Sequence, residues 1–482
     1  LRANVSTSPA PTLRLGMLQS IQHYAQNKLA ESGAQDTAYA RHAAYFVREG
    51  RRNAAATSTA EKLEAVTWLA SNRQNLFAVC ERFGDSRPAL AVASSLALQP
   101  LLAERDPTEP HRNHLRSAIG WARAAADDIP LAELLLHRAN LELEKGDADS
   151  ALALVTEAHE VLGETRAPVL RATALAESSR ILHRLGRLVE STAVLDEAEP
   201  LARAHGAHSV LARILSQRGL LALSTTTSEP QDYLRDALQL AKRSGDRSME
   251  ARILGNIGVE HLVRGRLVEA EAAMLDALEL HRSHGARSQE GLIMGNIGTV
   301  VLALGNRESS ETWLREAIAI HRELGNTFLE AADLSNLART LIELSRIHEA
   351  IEHATSALQQ IEETRGARER LICQCNLAIA YACIDDVPAA QKTLELARRS
   401  TSFWQTQKNL LNLAEAHVGF ASARAEAAPL DDERVTKANE TLRQLLEQRD
   451  RLFLPLQSLE RTAKHYPNPA PVLDIAAATS QG

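Results

Sequence analysis

Aromatic side chains are scarce in this sequence, at 4% of its 482 residues, whereas alanine and leucine are abundant. This composition suits long helices better than a β-sandwich or barrel. No run of apolar residues approaches the ~18 that a membrane-spanning helix needs. The N-terminal segment also lacks the basic start, apolar run and cleavage site of a secretory signal. These absences predict a helical protein located in the cytoplasm.

Cysteine is scarce too. The sequence contains four: Cys80, Cys373, Cys375 and Cys383. Cys373 and Cys375 would point to different faces of a helix, which disfavours a shared metal. A zinc site is the alternative. We expect these cysteines to be small buried packing residues, and we predict no metal site.

A positive charge excess and the common catalytic motifs are missing as well. The formal net charge is −7, which argues against a general nucleic-acid surface. The sequence contains no G-x-x-x-x-G-K-[ST] phosphate loop, no H-E-x-x-H and no G-x-S-x-G. We therefore predict no enzyme activity, no cofactor and no direct contact with nucleic acid or membrane.

What the sequence does contain is a repeat. The tetrapeptide GNIG at 255–258 recurs at 295–298, forty positions later, and the asparagine continues at Asn336 and Asn376. A glycine inside a helix costs roughly 1 kcal/mol relative to alanine. Because glycine recurs at the same repeat position despite this cost, we predict that a second helix packs closely against that position.

Small residues mark two phased positions in successive units, and glycine turns at 264–266 and 284–286 separate the helices. Each unit is therefore helix, tight turn, helix. The sequence predicts an all-α solenoid of eight or nine antiparallel helix pairs in a right-handed superhelix. The paired small residues are Gly258 and Ala277, Gly298 and Ala317, Ala338 and Ala357, and Ala378 and Ala397.

This pattern resembles the tetratricopeptide repeat, which has one small residue on its first helix and two on its second. Gly258, Ala270 and Ala277 form one such set. The forty-residue unit is similar to the long variant in kinesin light chains, spindle-orientation adaptors and bacterial regulators like the maltose-regulon activator. The resemblance covers about 130 to 400.

The segment before the repeats resembles the one that joins the ATPase module to the repeats in bacterial STAND regulators. It carries LGMLQSIQHYA at 15–25 and the pairs Trp68-Leu69 and Asn75-Leu76. The resemblance implies that a nucleotide switch precedes Leu1 and that this chain is the non-catalytic sensor arm of a signalling or transcription-regulating ATPase. A freestanding scaffold or a peptide-pheromone receptor is the alternative.

These observations divide the chain into five parts. We predict a helical linker at 1–85, an atypical first helix pair at 86–128 and regular repeats at 129–400. A degenerate C-terminal repeat or cap follows at 401–460, and the proline-containing tail at 461–482 is expected to be flexible.

The resemblance also implies where a ligand lies, because tetratricopeptide superhelices generally bind ligands along their first helices. The inner positions are mostly small and aliphatic, which suits an apolar or amphipathic segment of a partner or of the protein's own ATPase half. The alternative is that tight winding fills this channel with the protein's own side chains. The groove positions are Arg252, Gly255, Val259, Val263, Leu292, Gly295, Thr299, Ala303, Ser335, Arg339, Glu343, Cys375 and Ile379.

Two further sets of polar residues accompany the groove. The asparagine row could clamp the backbone of an extended peptide, since each amide has donors and an acceptor; a structural bond to the neighbouring repeat is the alternative. Arg180, His183 and Arg184 form a more basic groove entrance. The row consists of Asn256, Asn296, Asn336 and Asn376.

Overall fold

The computed structural model describes residues 2–5, 13–16, 19–57, 61–105, 108–163, 167–225, 230–283, 285–362, 366–399, 405–426 and 432–447. These residues contain twenty-one α-helices and two short strands. None of the described helices is long and apolar enough to span a bilayer. The predicted tail at 461–482 lies outside the described residues.

The first helices form the N-terminal region and the atypical first pair. They are α1 (Gln19–Glu31), α2 (Gln35–Ala56), α3 (Lys62–Phe83), α4 (Pro88–Arg105) and α5 (Thr108–Ala125).

The remaining helices continue the array. They are α6 (Asp128–Glu144), α7 (Ala148–Leu162), α8 (Pro168–Arg184), α9 (Leu188–Ala204), α10 (His208–Thr225), α11 (Pro230–Ser244), α12 (Arg247–Val263), α13 (Leu267–Ser283), α14 (Arg287–Ala303), α15 (Arg307–Glu323), α16 (Thr327–Glu343), α17 (Ile347–Glu362), α18 (Ala367–Cys383), α19 (Val387–Arg398), α20 (Gln405–Ala425) and α21 (Glu433–Glu447).

The predicted all-α solenoid is confirmed. From α4 to α21 the described helices pack as nine successive pairs, and each pair also packs on the next. Even-numbered helices are the first helices of their pairs and contact one another along the inner face, as α8, α10 and α12 do.

The extreme N-terminus departs from the purely helical linker expected at 1–85. Strands β1 (Arg2–Val5) and β2 (Leu13–Gly16) pair antiparallel, with Arg2 opposite Gly16. The sequence between them contains two prolines, and proline disrupts a helix interior because it lacks a backbone N–H and clashes with the preceding turn.

The repeated glycines mark close contacts between the two helices of a pair, as predicted. A Cβ on Gly258 would lie 2.5 Å from Met274 Cγ in α13, and a Cβ on Gly298 would lie 2.7 Å from Leu314 Cγ in α15. Ala277, at the second small position, is fully buried. A side chain at either glycine would therefore force the helices apart.

Glycine also ends the helices. Gly265 has a φ of 74°, and the backbone N–H of Arg266 donates to the His261 carbonyl at 2.9 Å. This is the left-handed C-terminal cap that satisfies the last helical carbonyls. The cap lets the second helix turn back within two or three residues.

Helices that are far apart in the sequence contact one another across the axis of the superhelix. Phe328 at the start of α16 is 1% exposed. A Cβ on Gly146, after α6, or on Gly366, before α18, would lie 2.6 Å from its ring. The Arg184 guanidinium of α8 lies 4.8 Å from the ring centroid and donates to Glu369 Oε1 at 3.2 Å. We call these contacts the closing contact, and α4 and α14 also touch.

Several histidines are buried in the neutral form. His111 Nε2 pairs with Gln99 Oε1 at 2.8 Å, and burial, together with nearby positive groups, lowers its pKa to about 3. Burial likewise lowers the pKa of His321 and of His417 to about 4. These imidazoles therefore stay neutral in the folded protein at pH values where they would be protonated in the unfolded chain.

We expect Gly298→Ala to destabilise the protein, because overpacking typically costs 1 to 3 kcal/mol and outweighs the roughly 1 kcal/mol helix-propensity gain. Gly120→Ala is the matched control, since Gly120 is exposed within α5 and a Cβ there would meet nothing within 4 Å. The control should raise the urea midpoint while Gly298→Ala lowers it. Equal stabilisation by both substitutions would show that no close contact exists at Gly298.

We also expect acid to destabilise the fold through the buried histidines. Their folded pKa lies below the unfolded value, so they are neutral in both states above pH ~6.5, and as the pH falls the unfolded chain binds protons first. A group with a folded pKa of about 4 loses about 2 kcal/mol of stability at pH 5. His417→Gln should therefore reduce the loss of unfolding free energy between pH 7 and 5. The exposed control His348→Gln should not, and an unchanged pH dependence in His417→Gln would contradict this account.

Candidate ligand site on the concave face

Three arginines converge on one glutamate where α8, α10 and α12 line the inner face. Arg180 Nε donates to Glu177 Oε2 at 2.8 Å, and Arg213 Nη1 donates to Glu177 Oε1 at 2.5 Å. Arg180 also donates to Asn140 Oδ1 on α6. The third arginine, Arg252, extends from α12 toward the same carboxylate.

These side chains enclose a cavity of about 20 Å³, which we call the arginine cavity. A space of this size holds about one water-sized group. It is lined by Ala176, Glu177, Arg180, Arg213, Ser216, Gln217, Met249, Arg252 and Asn256.

Glu177 and Arg252 are both charged at neutral pH. Burial raises the pKa of Glu177, but Arg180, Arg213 and Arg252 outweigh it and bring that pKa to about 2. Burial, with repulsion from Arg213, lowers the pKa of Arg252 to about 10. Three positive side chains and one negative side chain leave the lining with a net charge of +2.

The upstream half of the predicted groove is partly open. Arg252, Val259, Val263, Thr299 and Ala303 are half-buried, and Leu292 is exposed. Arg252 alone of these lines the arginine cavity. Ligand contact by the other positions stays a prediction.

The two glycines of this half are buried against the next repeat. A Cβ on Gly255 would lie 2.8 Å from Ile293 Cδ1, and a Cβ on Gly295 would collide with Asp333. Both glycines therefore also allow neighbouring first helices to approach each other.

The downstream half is filled by the protein. Ser335, Glu343, Cys375 and Ile379 are all at most 4% exposed, and Arg339 is half-buried. For these positions the structure agrees with the alternative in which tight winding fills the channel.

Ionisable groups are enclosed near the predicted groove positions as well. Burial lowers the pKa of Arg339 to about 10, against an opposing effect of Glu343. Burial also raises the pKa of Asp333, which lies 3.4 Å from His321 Nε2.

Two of the four asparagines in the row make hydrogen bonds to the preceding repeat. Asn256 Nδ2 donates to Ser216 Oγ at 2.8 Å, and Asn376 Nδ2 donates to both the carbonyl and the Oγ of Ser335 at 3.1 Å. Each bond reaches the first helix of the preceding repeat, which was the structural interpretation. Asn296 and Asn336 are half-buried at the equivalent positions, and their role as a clamp stays a prediction.

The three predicted entrance residues lie on α8 but make different contacts. Arg180 lines the arginine cavity. His183 Nε2 pairs with Ser224 Oγ at 3.0 Å, and burial lowers its pKa to about 4. Arg184 belongs to the closing contact. Only the first of the three faces the candidate site.

The sequence analysis missed Arg213, Glu177 and Gln217 as site residues. The repeat register carried a signal for one of them, because Arg213 precedes Gln217 by four positions as Arg252 precedes Asn256. The contact of Glu177 with two neighbouring repeats depends on the superhelical winding, which the register does not reveal.

The cysteines are largely packing residues, as predicted. Cys80, Cys373 and Cys375 are buried, whereas Cys383 is exposed. Burial raises the pKa of Cys80 and of Cys373 to about 12. Within the described ranges no group of three or more His, Cys, Asp or Glu side chains is arranged to hold a metal ion.

Comparison with known proteins supports the repeat assignment. The tetratricopeptide repeat family model matches residues 292–324, which include most of α14 and all of α15. No curated protein sequence matches the chain significantly.

Three solved structures are similar in fold. A STAND protein with a tetratricopeptide repeat sensor from Pyrococcus horikoshii is 15% identical with a TM-score of 0.46, and the match covers 82% of this chain and 55% of that one. This chain thus spans about half of that protein. A Rap protein complexed with competence and sporulation factor is 16% identical with a TM-score of 0.53, covering 73% and 99%. NprR in complex with its cognate peptide NprX is 11% identical with a TM-score of 0.48, covering 74% and 98%.

At 16% identity and a TM-score of 0.53, the match to the Rap protein shows the fold alone. The family model identifies a tetratricopeptide repeat at 292–324, and the phased small residues and the nine packed helix pairs of the described residues support an array of such repeats.

Proposed function

We propose that the chain is a non-catalytic module that binds a protein or peptide segment along its first helices. The observation that carries this proposal is the arginine cavity, whose lining has a net charge of +2 and lies on the first helices α8, α10 and α12. Helical repeat arrays use such concave faces for extended ligands. Charge-assisted hydrogen bonds from arginine would supply both attraction and register.

We further propose that this module is the sensor and regulatory arm of a larger bacterial signalling or transcription-regulating ATPase, located in the cytoplasm. The support is the resemblance of the segment before α4 to the linker of STAND regulators. The ligand is then a partner segment or the protein's own N-terminal ATPase half.

A freestanding scaffold or peptide-pheromone receptor is the second candidate. The similarity in fold to a Rap protein solved with competence and sporulation factor favours it. Sequencing the gene upstream of Leu1 separates the two, because an ATPase with a phosphate loop supports the first and a start codon there supports the second.

Ligand binding and superhelix shape are coupled in this proposal. A segment that follows the first helices toward α16 meets the closing contact formed by Arg184, Glu369 and Phe328. A ligand that binds an open form better than the closed form shifts the balance between them by its difference in affinity. That shift is the signal that a sensor arm could pass to a nucleotide switch.

The proposal is tested by selecting ligands and then charging the groove. Random linear peptides displayed on yeast are enriched on the purified chain, and the enriched peptides are titrated by fluorescence anisotropy. Thr299→Glu combined with Ala303→Glu places two negative charges on α14. It should weaken binding at least tenfold, because enclosing these carboxylates against a bound peptide costs more than about 1.4 kcal/mol of binding free energy.

The matched control is Asp276→Arg, on the exposed face of the second helix α13, which should leave binding unchanged. Circular dichroism confirms that the variants stay helical. Absence of any enriched peptide, or equal binding by the groove variant and wild type, would contradict ligand binding on the concave face.

A further inference from the structure

The arginine cavity holds buried donors that the protein does not use. Gln217 is 6% exposed and lines the cavity. In the part of the chain that the structure describes, its Nε2 has no hydrogen-bond partner, and neither does the Nε of Arg213. An unpaired buried donor typically costs about 1 to 3 kcal/mol. A ligand that accepts hydrogen bonds would recover this energy.

Arg252 adds an unneutralised charge beside these donors. It influences the Glu177 carboxyl through space, but the oxygens of Glu177 are already bonded to Arg180 and Arg213. Arg252 therefore presents its guanidinium without a carboxylate of its own among the described residues.

The nearest other carboxylate, Asp246, attracts Arg252 through space but is engaged by other donors. Asp246, at the N-terminus of α12, accepts from the Met249 backbone N–H at 2.9 Å and from Ser209 Oγ at 2.5 Å. On the α6 side stand Asn140 and His137, and burial lowers the pKa of that histidine to about 4, so it is neutral at pH 7. The lining itself therefore carries a net charge of +2, of which Asp246 offsets a part through space.

The size of the cavity limits what can enter. A volume of about 20 Å³ holds about one water-sized group, so it admits one oxygen atom of a ligand rather than a whole tetrahedral anion. A carboxylate is planar and matches the guanidinium fork. The space, the spare donors and the charge point to the same chemical group.

We infer that the arginine cavity is a carboxylate-binding subsite for an acidic side chain or a C-terminal carboxylate of the bound segment. This inference rests on the proposed function and adds the chemistry that the segment must carry. The carboxylate accepts from Arg252 and from Gln217 Nε2, which joins α10 to α12 through the ligand.

The test uses short acetylated peptides that differ in one group, titrated by calorimetry against the full chain at constant ionic strength. Gly-Asp-Gly amide presents a side-chain carboxylate, Gly-Gly-Gly acid presents a terminal one, and Gly-Asn-Gly amide presents neither. At least one of the acidic peptides should bind roughly tenfold more tightly than Gly-Asn-Gly amide, the difference expected when charge-assisted hydrogen bonds are lost. The stronger acidic peptide identifies the source of the carboxylate.

Two variants should change this affinity in opposite directions. Arg252→Gln removes one positive charge and should weaken carboxylate binding roughly tenfold. Glu177→Gln raises the net charge of the lining from +2 to +3 and should strengthen it, a gain that misfolding cannot mimic. The control Arg235→Gln, an exposed arginine of α11 paired with Asp232, should bind like wild type.

The inference is overturned if the acidic and neutral peptides bind alike, if Arg252→Gln binds like wild type, or if inorganic phosphate binds more tightly than the acidic peptides. Its failure is distinguishable from failure of the proposed function. If displayed peptides bind independently of Arg252, the carboxylate subsite is refuted and the binding module is retained. If carboxylates bind but no peptide is enriched, the subsite is retained and the binding module is refuted.

Discussion

The close approach of two helices at a small residue is the contact on which the rest of this structure depends. Gly258 and Gly298 leave no room for a Cβ against Met274 and Leu314 of the partner helix. Each glycine lowers helix propensity, and burial of the apolar partner offsets that cost. Because the same contact recurs every forty residues, one local geometry is propagated along the array.

Repetition of that geometry brings distant parts of the chain together. The α6 and α8 ends meet the starts of α16 and α18 around Phe328, and Arg184 reaches Glu369 across the axis. Winding also removes inner side chains from water, so burial lowers the pKa of Arg184. The interior therefore contains charged side chains but little empty volume. The arginine cavity is a place where an excess of positive side chains borders an unfilled space.

The sequence could predict what recurs at a fixed interval. Gly258, Gly298 and the turn glycine Gly265 each followed from the period and from the physical cost of glycine in a helix. The unit, the helix pairs and their boundaries could be predicted on the same basis. The alternative for the asparagines also followed, and Asn376 bonds to the preceding repeat.

Contacts that join different turns of the superhelix were not predictable in this way. Phe328 and Gly146 are far apart in the sequence and occupy no shared register, so nothing local indicates that they touch. Glu177 was missed for the same reason. Its two arginine partners come from its own repeat and the next, and only the winding brings them to one carboxylate.

The most direct test of this account is a measurement of closure in solution. Asp149 lies near Gly146 and Ala367 follows Gly366, and both are exposed. Spin labels at Asp149→Cys and Ala367→Cys, with Cys383→Ser to remove the exposed native thiol, report on the closing contact. The structure predicts strong dipolar broadening from one short distance. A long or broad distance distribution would show that the superhelix is open and would contradict the closed interior.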